Sequence, residues 1–151
     1  MEMAFFCRDM SLLSPTQQFL MSRYGKYLNP QSTDLSAELV RIGAAWRYAL
    51  EKRGISDGTS NYLEKFKGYD SLCIRIKNSK TLIRFPYYRD PGNDRLVLLL
   101  GFAKTDNYKP GGKVDRDAKR KLDEAQIYYD EYNLNNNKFI NHQLIKDILS
   151  Y

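Results

Sequence analysis

Apolar and polar residues alternate in two successive runs, and this alternation predicts two neighbouring β-strands. Over residues 72–77 every second residue is apolar, and Arg75 lies between two isoleucines. After a short polar break the pattern resumes over 81–88, where Arg84 again has apolar residues on both sides. A period of two gives a strand one apolar and one polar face. The two runs therefore predict a hairpin with a core face and a basic face.

A third run, 96–102, is apolar at every position except Gly101, which predicts a strand that is buried on both faces. The sequence Asp-Pro-Gly-Asn-Asp at 90–94 separates it from the second strand and is rich in turn-forming residues. We therefore expect a three-stranded meander at the centre of the sheet. A short apolar run over 3–7 predicts one more strand, added to the same sheet.

Apolar residues spaced by three and four predict four helices, over 15–28, 34–53, 115–132 and 140–149. The first begins with Ser14 and Pro15, which are typical of a helix N-terminus. Trp46 falls in the apolar stripe of the second helix, so we interpret it as a core residue and not as a platform for stacking bases. The first two helices are expected to pack on the core face of the sheet.

These elements predict an α+β fold, with a small antiparallel or mixed sheet, two N-terminal helices on one face and C-terminal helices. Residues 1–132 are expected to form a single domain, and residues 133–151 a polar linker and a short amphipathic helix. A helix of that length is marginal by itself in water. It must pack on its own domain or on a second copy of the chain, as a homodimer. The acidic tail favours its own domain, where it would narrow a basic groove.

The register of the predicted hairpin decides how close its two arginines lie. If Asn78 and Ser79 form a two-residue loop, Arg75 and Arg84 are diagonal neighbours on one face, roughly 7–8 Å apart at the backbone. Two interpretations are open. The face is either a solvated polar surface with nearby carboxylates, which spacing alone favours, or a site that binds phosphate.

Charge is unevenly distributed along the chain. The net charge is +6, and segment 61–121 alone carries fifteen basic and seven acidic residues, a net charge of +8. A basic region of this kind is typical of a surface that binds nucleic acid. Cys7 and Cys73 lie in apolar surroundings and are expected to be buried free thiols. No ligand spacing for a metal, no phosphate-binding loop and no membrane-spanning run is present, so we expect no cofactor and a cytoplasmic protein.

Three runs, in this order, resemble the RelE/ParE superfamily of toxins and, within it, the HigB-like branch with its phage-derived relatives. They are Leu-Cys-Ile-Arg-Ile at 72–76, Ile-Arg-Phe at 83–85 and Leu-Leu-Leu-Gly-Phe-Ala-Lys at 98–104, followed by Lys109-Pro110 and a predicted helix. The similarity covers 62–132, about half of the chain. It implies a RelE-like sheet and the toxin of a type II toxin–antitoxin pair, an endonuclease that cleaves mRNA, free or on the ribosome. Its partners would be RNA and a cognate antitoxin.

Cleavage of RNA through its 2′-hydroxyl needs a base, cations for the phosphate and an acid for the leaving oxygen, and it needs no metal. The resemblance implies that Arg75 and Arg84 bind the scissile phosphate, while Lys104 acts as base or phosphate clamp. A lysine crowded by arginines loses basicity, which would suit it to the role of base. The remaining residues expected to contact RNA are Lys67, Lys77, Arg89, Lys109, Tyr128 and Tyr132. Tyr129 fits the apolar stripe of its helix and is expected to be structural.

The chain departs from the HigB-like pattern at three positions. Leu100 stands where a histidine is common, Thr105 where a second lysine often follows, and Cys73 where a glutamate is common. Loss of the histidine favours a second hypothesis, a non-catalytic protein of the same fold that binds nucleic acid or a partner. A third hypothesis is a ParE-like inhibitor of DNA gyrase, which the basic clustering favours less.

Overall fold

The computed structural model describes residues 1–25, 28, 36–56, 58, 62–78, 81–105 and 113–151. These residues form seven strands and four helices, in agreement with the predicted α+β class. The strands are β1 (Glu2–Phe6), β2 (Leu63–Lys65), β3 (Leu72–Asn78), β4 (Thr81–Asp90), β5 (Arg95–Leu98), β6 (Phe102–Thr105) and β7 (Phe139–Ile140). The helices are α1 (Pro15–Tyr24), α2 (Ala37–Glu51), α3 (Lys113–Leu134) and α4 (Gln143–Leu149). Within this part of the chain, no helix has the length and apolarity needed to cross a membrane.

The strands form one open, mixed sheet in the order β2-β3-β4-β5-β1-β7, with β6 paired to β4 beyond the end of β5. β1 and β5 are parallel, and the other pairs are antiparallel. The predicted meander therefore lies in the middle of the sheet. Two short strands, β2 and β7, extend it at either edge and were not predicted from the sequence.

Helices cover both faces of the sheet. One face, called here the α2 face, packs against α1, α2 and α4, and its core includes Leu20, Trp46, Ile74 and Phe85. The opposite face, the α3 face, packs against α3 alone among the described helices. The expectation that the first two helices share one face is confirmed, and Trp46 is fully buried, as predicted. Both cysteines are buried free thiols, also as predicted.

The run predicted as a single strand over 96–102 is divided by a β-bulge. Tyr87 pairs with Leu98 and Arg84 pairs with Phe102, so two residues of β4 oppose the three residues 99–101. The extra residue lies opposite Pro86, whose carbonyl accepts a hydrogen bond of 2.8 Å from Leu99 N. A bulge of this kind reverses the inward and outward alternation of the strand that follows it. The run is buried on both faces, as expected, but it is not one continuous strand.

Gly101 in the bulge is held between two aromatic rings. A Cβ atom at this position would lie 2.5 Å from Phe19 Cδ2 and 2.8 Å from Phe85 Cε1, both well inside contact distance. Helix α1 can therefore approach the bulge this closely only because position 101 carries no side chain.

The register of the β3–β4 hairpin differs from the predicted one by two residues. Asn78 pairs with Thr81, and residues 79 and 80 lie outside the described residues. As a result, Arg75 pairs directly with Arg84 instead of lying diagonal to it. Directly opposed residues have Cβ atoms roughly 4.5–5.5 Å apart. The two positive charges are therefore closer than the sequence suggested.

The C-terminal segment docks on its own domain. β7 pairs with β1, and α4 buries Leu144, Ile145 and Ile148 in the core of the α2 face. Arg47 Nη1 donates a hydrogen bond of 2.6 Å to the Leu149 carbonyl at the end of α4. The proposed narrowing of a basic groove is wrong, because α4 lies on the face opposite to Arg84. His142 is the N-cap of this helix: its side chain accepts a hydrogen bond from Leu144 N at 3.0 Å, and its ring stacks on Phe5 with 6.2 Å between ring centroids.

A buried polar network fixes the end of α3 to the turn after β4. The hydroxyl of Tyr132 donates to Asp90 Oδ2 at 2.6 Å and accepts from Arg95 Nη1 at 3.1 Å. Burial opposes the charged form of Asp90, but hydrogen bonds from Tyr132 and Asn93 and the charge of Arg95 outweigh it, so the pKa of Asp90 is lowered. Burial and the bond to Asp90 raise the pKa of Tyr132 to about 12. The network is therefore ionised at Asp90 and protonated at Tyr132 at neutral pH.

We predict that Tyr132→Phe lowers the free energy of unfolding by about 1–2 kcal/mol at neutral pH, because a buried hydrogen bond to a carboxylate is lost. A lowered folded-state pKa contributes stability above the unfolded-state pKa, and this contribution is lost as pH falls through the folded value. The difference between parent and variant should therefore shrink on acidification. Urea unfolding at about pH 7 and about pH 2 measures both quantities. An equal difference at the two pH values would contradict an ionic role for the bond.

Candidate functional site

The bulge brings three predicted site residues to the same face of the sheet. On β4 the side chains of Ile83, Phe85 and Tyr87 belong to the core of the α2 face, so Arg84 between them points to the α3 face. Arg75 is its direct partner on β3 and shares that face. Phe102 pairs with Arg84 and packs in the core of the α3 face, so Lys104, two residues later, lies on the same side. A continuous strand over 96–104 would have put Lys104 on the α2 face.

Glu64 lies between the two arginines. Arg84 Nε donates a hydrogen bond of 2.6 Å to Glu64 Oε1, and Arg75 Nε is 4.0 Å from Glu64 Oε2. The guanidinium of Arg84 also stacks over the ring of Phe66, with 5.0 Å between Cζ and the ring centroid. The side chain of Arg84 is 8% exposed, whereas those of Arg75 and Glu64 are 30% and 26% exposed. Arg84 is thus a buried, paired residue, and solvent reaches the cluster on the Arg75 side.

Sequence reasoning missed Glu64, because β2 has only three residues and no readable alternation. The resemblance places a glutamate at the position of Cys73, and Glu64 is the direct cross-strand neighbour of Cys73. The carboxylate beside the arginine pair therefore lies on β2, the strand adjacent to Cys73. Burial raises the pKa of the Cys73 thiol well above its ordinary value, and Glu64 acts in the same direction. Cys73 remains a protonated packing residue below the arginine pair and offers no thiolate nucleophile.

Lys104 lines a cleft between β6 and the first half of α3. The cleft has a volume of about 430 Å³ and its other lining residues include Asp117, Arg120 and Lys121. Asp117 and Arg120 form an exposed ion pair, with 3.7 Å between Oδ1 and Nη1. Cations therefore outnumber carboxylates around this cleft, which gives the end of the sheet near β6 a basic rim.

Two of the expected RNA contacts are exposed near this face. Lys77 lies on β3 two residues beyond Arg75, so by alternation it belongs to the α3 face, and Lys67 lies in the turn between β2 and β3. Lys109 lies outside the described residues. Arg89, in contrast, points to the α2 face and donates from Nε to the Arg53 carbonyl at 2.7 Å. Arg89 does not share the face of Arg84, because the two lie five positions apart along β4 and an odd step places side chains on opposite faces.

Tyr128 and Tyr132 have packing roles. Tyr132 is fully buried in the polar network described above, so its assignment as an RNA contact was wrong. The ring of Tyr128 stacks on Phe6 at 4.9 Å between centroids, and Arg8 lies 4.8 Å from it. The Tyr128 hydroxyl donates to Glu124 at 2.7 Å, and burial followed by this bond raises the pKa of Tyr128 to about 12. Tyr129 packs on Tyr88, with 4.4 Å between ring centroids, which agrees with its predicted structural role.

No family model matches this chain, and comparisons with curated proteins and with solved structures find no match. The side chains that the structure describes bring no three histidine, cysteine or carboxylate groups together around a possible metal position. The ionisable side chains that the structure places in the site are those of arginine, lysine and glutamate.

The two arginines should respond differently to substitution. We predict that Arg84→Ala lowers the free energy of unfolding by about 1–3 kcal/mol, because it leaves Glu64 without its closest partner and opens a gap beside Phe66. Arg75→Ala should cost less than about 1 kcal/mol, because its ion pair is longer and partly exposed. Urea unfolding of the two variants under the same conditions provides the comparison. Equal decreases in the free energy of unfolding would contradict the assignment of Arg84 as the buried arginine and Arg75 as the solvent-facing one.

Proposed function

We propose that the protein is a RelE-like toxin that acts on RNA and cleaves mRNA without a metal ion or cofactor. The observation that carries the proposal is the juxtaposition of Arg75, Arg84 and Lys104 on the α3 face, produced by the direct strand pairing and the bulge. The order of elements supports it further, because two helices precede the meander and helices follow it, as the resemblance implies. On this proposal the protein acts in the cytoplasm and its other partner is an antitoxin protein.

The role of each residue would depend on how exposed its side chain is. Arg75 presents a partly exposed guanidinium, whose planar set of donors suits two phosphate oxygens. Lys104, on the basic rim, would hold a neighbouring phosphate or take the 2′-hydroxyl proton. Arg84 would add positive charge beneath the bound phosphate, and Lys77 would extend the contact along the backbone of the RNA.

A second candidate function is RNA binding without cleavage, and two observations favour it. The guanidinium of Arg84 is buried and already bonded to Glu64, so it is less available to a phosphate. Leu100, at the position where a histidine is common in the resembling family, is only 2% exposed and packs in the core of the α3 face. No acid–base group replaces the histidine at that position. The ParE-like hypothesis gains no comparable support from the described residues.

Expression in a bacterium, followed by primer extension on cellular mRNA, tests cleavage. We expect the parent chain to produce new 5′ ends, and Arg75→Ala and Lys104→Ala to abolish them. Lys146→Ala on α4 serves as a matched control, because it removes an exposed cation from the opposite side of the sheet.

Binding of a single-stranded RNA to the purified protein, measured over a range of salt concentrations, separates the two candidates. Each lost phosphate contact should reduce the salt slope by about 0.7. Salt-sensitive binding that depends on Arg75, without new 5′ ends in cells, would select the binding function. Binding that is absent, or equally affected by Lys146→Ala, would contradict both.

A further inference from the structure

The cluster on the α3 face has more positive than negative charge. Arg75 and Arg84 are directly opposed on adjacent strands, where like charges destabilise a sheet unless an anion lies between them. Glu64 supplies that anion, but one carboxylate faces two guanidinium groups. A net positive charge therefore remains at the position where solvent enters.

The carboxylate of Glu64 contacts this pair in the manner of a bound phosphate. One of its oxygens accepts a hydrogen bond from Arg84, and the other lies 4.0 Å from Arg75 Nε. A phosphodiester presents two unesterified oxygens in the same bridging way and carries the same single negative charge, and guanidinium groups bind both kinds of anion through paired donors. The two anions therefore compete for one position.

The backbone at Glu64 belongs to a very short strand. It lies in the middle of β2, a three-residue strand at the edge of the sheet that pairs only with β3 among the described strands. Its side chain is about a quarter exposed, and the 4.0 Å separation from Arg75 shows that this half of the bridge is loose. The carboxylate is therefore accessible to solvent and to an incoming anion on the Arg75 side.

We propose that Glu64 occupies the position of an RNA phosphate between Arg75 and Arg84, and that RNA binds there by displacing it. The inference rests on the proposed function, since it identifies the residue that regulates the same site. Glu64 thereby neutralises the arginine pair in the free protein and sets the affinity at which RNA engages it.

Substitution Glu64→Gln tests the proposal, because glutamine keeps the size of the side chain and removes the competing charge. We expect RNA affinity to rise roughly tenfold, the effect of one added charge-assisted contact, and the salt slope to steepen by about 0.7. The increase should disappear when Arg75→Ala is combined with it. Glu51→Gln at the end of α2 is the control, because it makes the same charge change at an exposed position away from the cluster.

Inorganic pyrophosphate, followed through the Nε resonance of Arg84, tests the position independently of RNA. We expect pyrophosphate to shift this resonance in the parent chain at high concentration and in Glu64→Gln at a concentration roughly tenfold lower. This measurement also applies to the parent alone, should the variant fail to fold. If RNA binds and depends on Arg75, but neither measurement responds to Glu64→Gln, the inference is overturned and the proposed function stands. If pyrophosphate behaves as expected and RNA does not bind, the proposed function fails and the anion position remains.

Discussion

The extra residue opposite Pro86 determines which side chains share a face of the central sheet. Before the bulge, Leu96 and Leu98 pack in the core of the α2 face; after it, Phe102 packs in the core of the α3 face. If the alternation of side chains continued unchanged through residues 99–101, Phe102 and Lys104 would both lie on the α2 face, toward α1. Gly101 lets α1 pack against the bulge, so the local irregularity also positions a helix. The strand pairing around the bulge therefore places these basic residues on one face of the sheet.

The arginine pair links stability to function in this molecule. Two guanidinium groups on paired central strands need an anion, and the structure supplies one from an edge strand instead of from the core. Arg84 gains a buried ion pair and an aromatic contact, while Arg75 keeps part of its surface in solvent. One arginine is thus buried, and the other is accessible to a ligand from solvent. The carboxylate of Glu64 reduces the repulsion between the two arginines in the folded protein, and the same carboxylate competes with an incoming phosphate.

Much of the architecture could be predicted from hydrophobic periodicity. The meander, the two N-terminal helices on one face and the buried Trp46 follow from it, because long amphipathic elements carry a strong repeating signal. Hairpin register was missed because two adjacent polar pairs could each form the loop, and only packing distinguishes them. The bulge leaves no signal in a run that is apolar throughout. Glu64 was missed because β2 is too short to show alternation, and its importance depends on contacts distant in sequence.

The sequence likewise identified some of the site residues and misassigned others. Arg75, Arg84 and Lys104 could be identified from the resembling motifs, and the structure brings them to one face. Arg89 and Tyr132 were misassigned because residue type alone does not reveal which face a strand residue occupies or how deeply a helix residue is buried. Arg89 contacts a carbonyl on the α2 face, and Tyr132 completes a buried network with Asp90.

The central claim is that RNA contacts the α3 face of the sheet through Arg75 and Lys104. A chemical-shift map of the protein, recorded as a short single-stranded RNA is added, tests it most directly. The account predicts that the largest shifts occur at Arg75, Lys77 and Lys104, with the α4 residue Lys146 unaffected. Shifts confined to α2 and α4, or no shifts at RNA concentrations well above that of the protein, would contradict it.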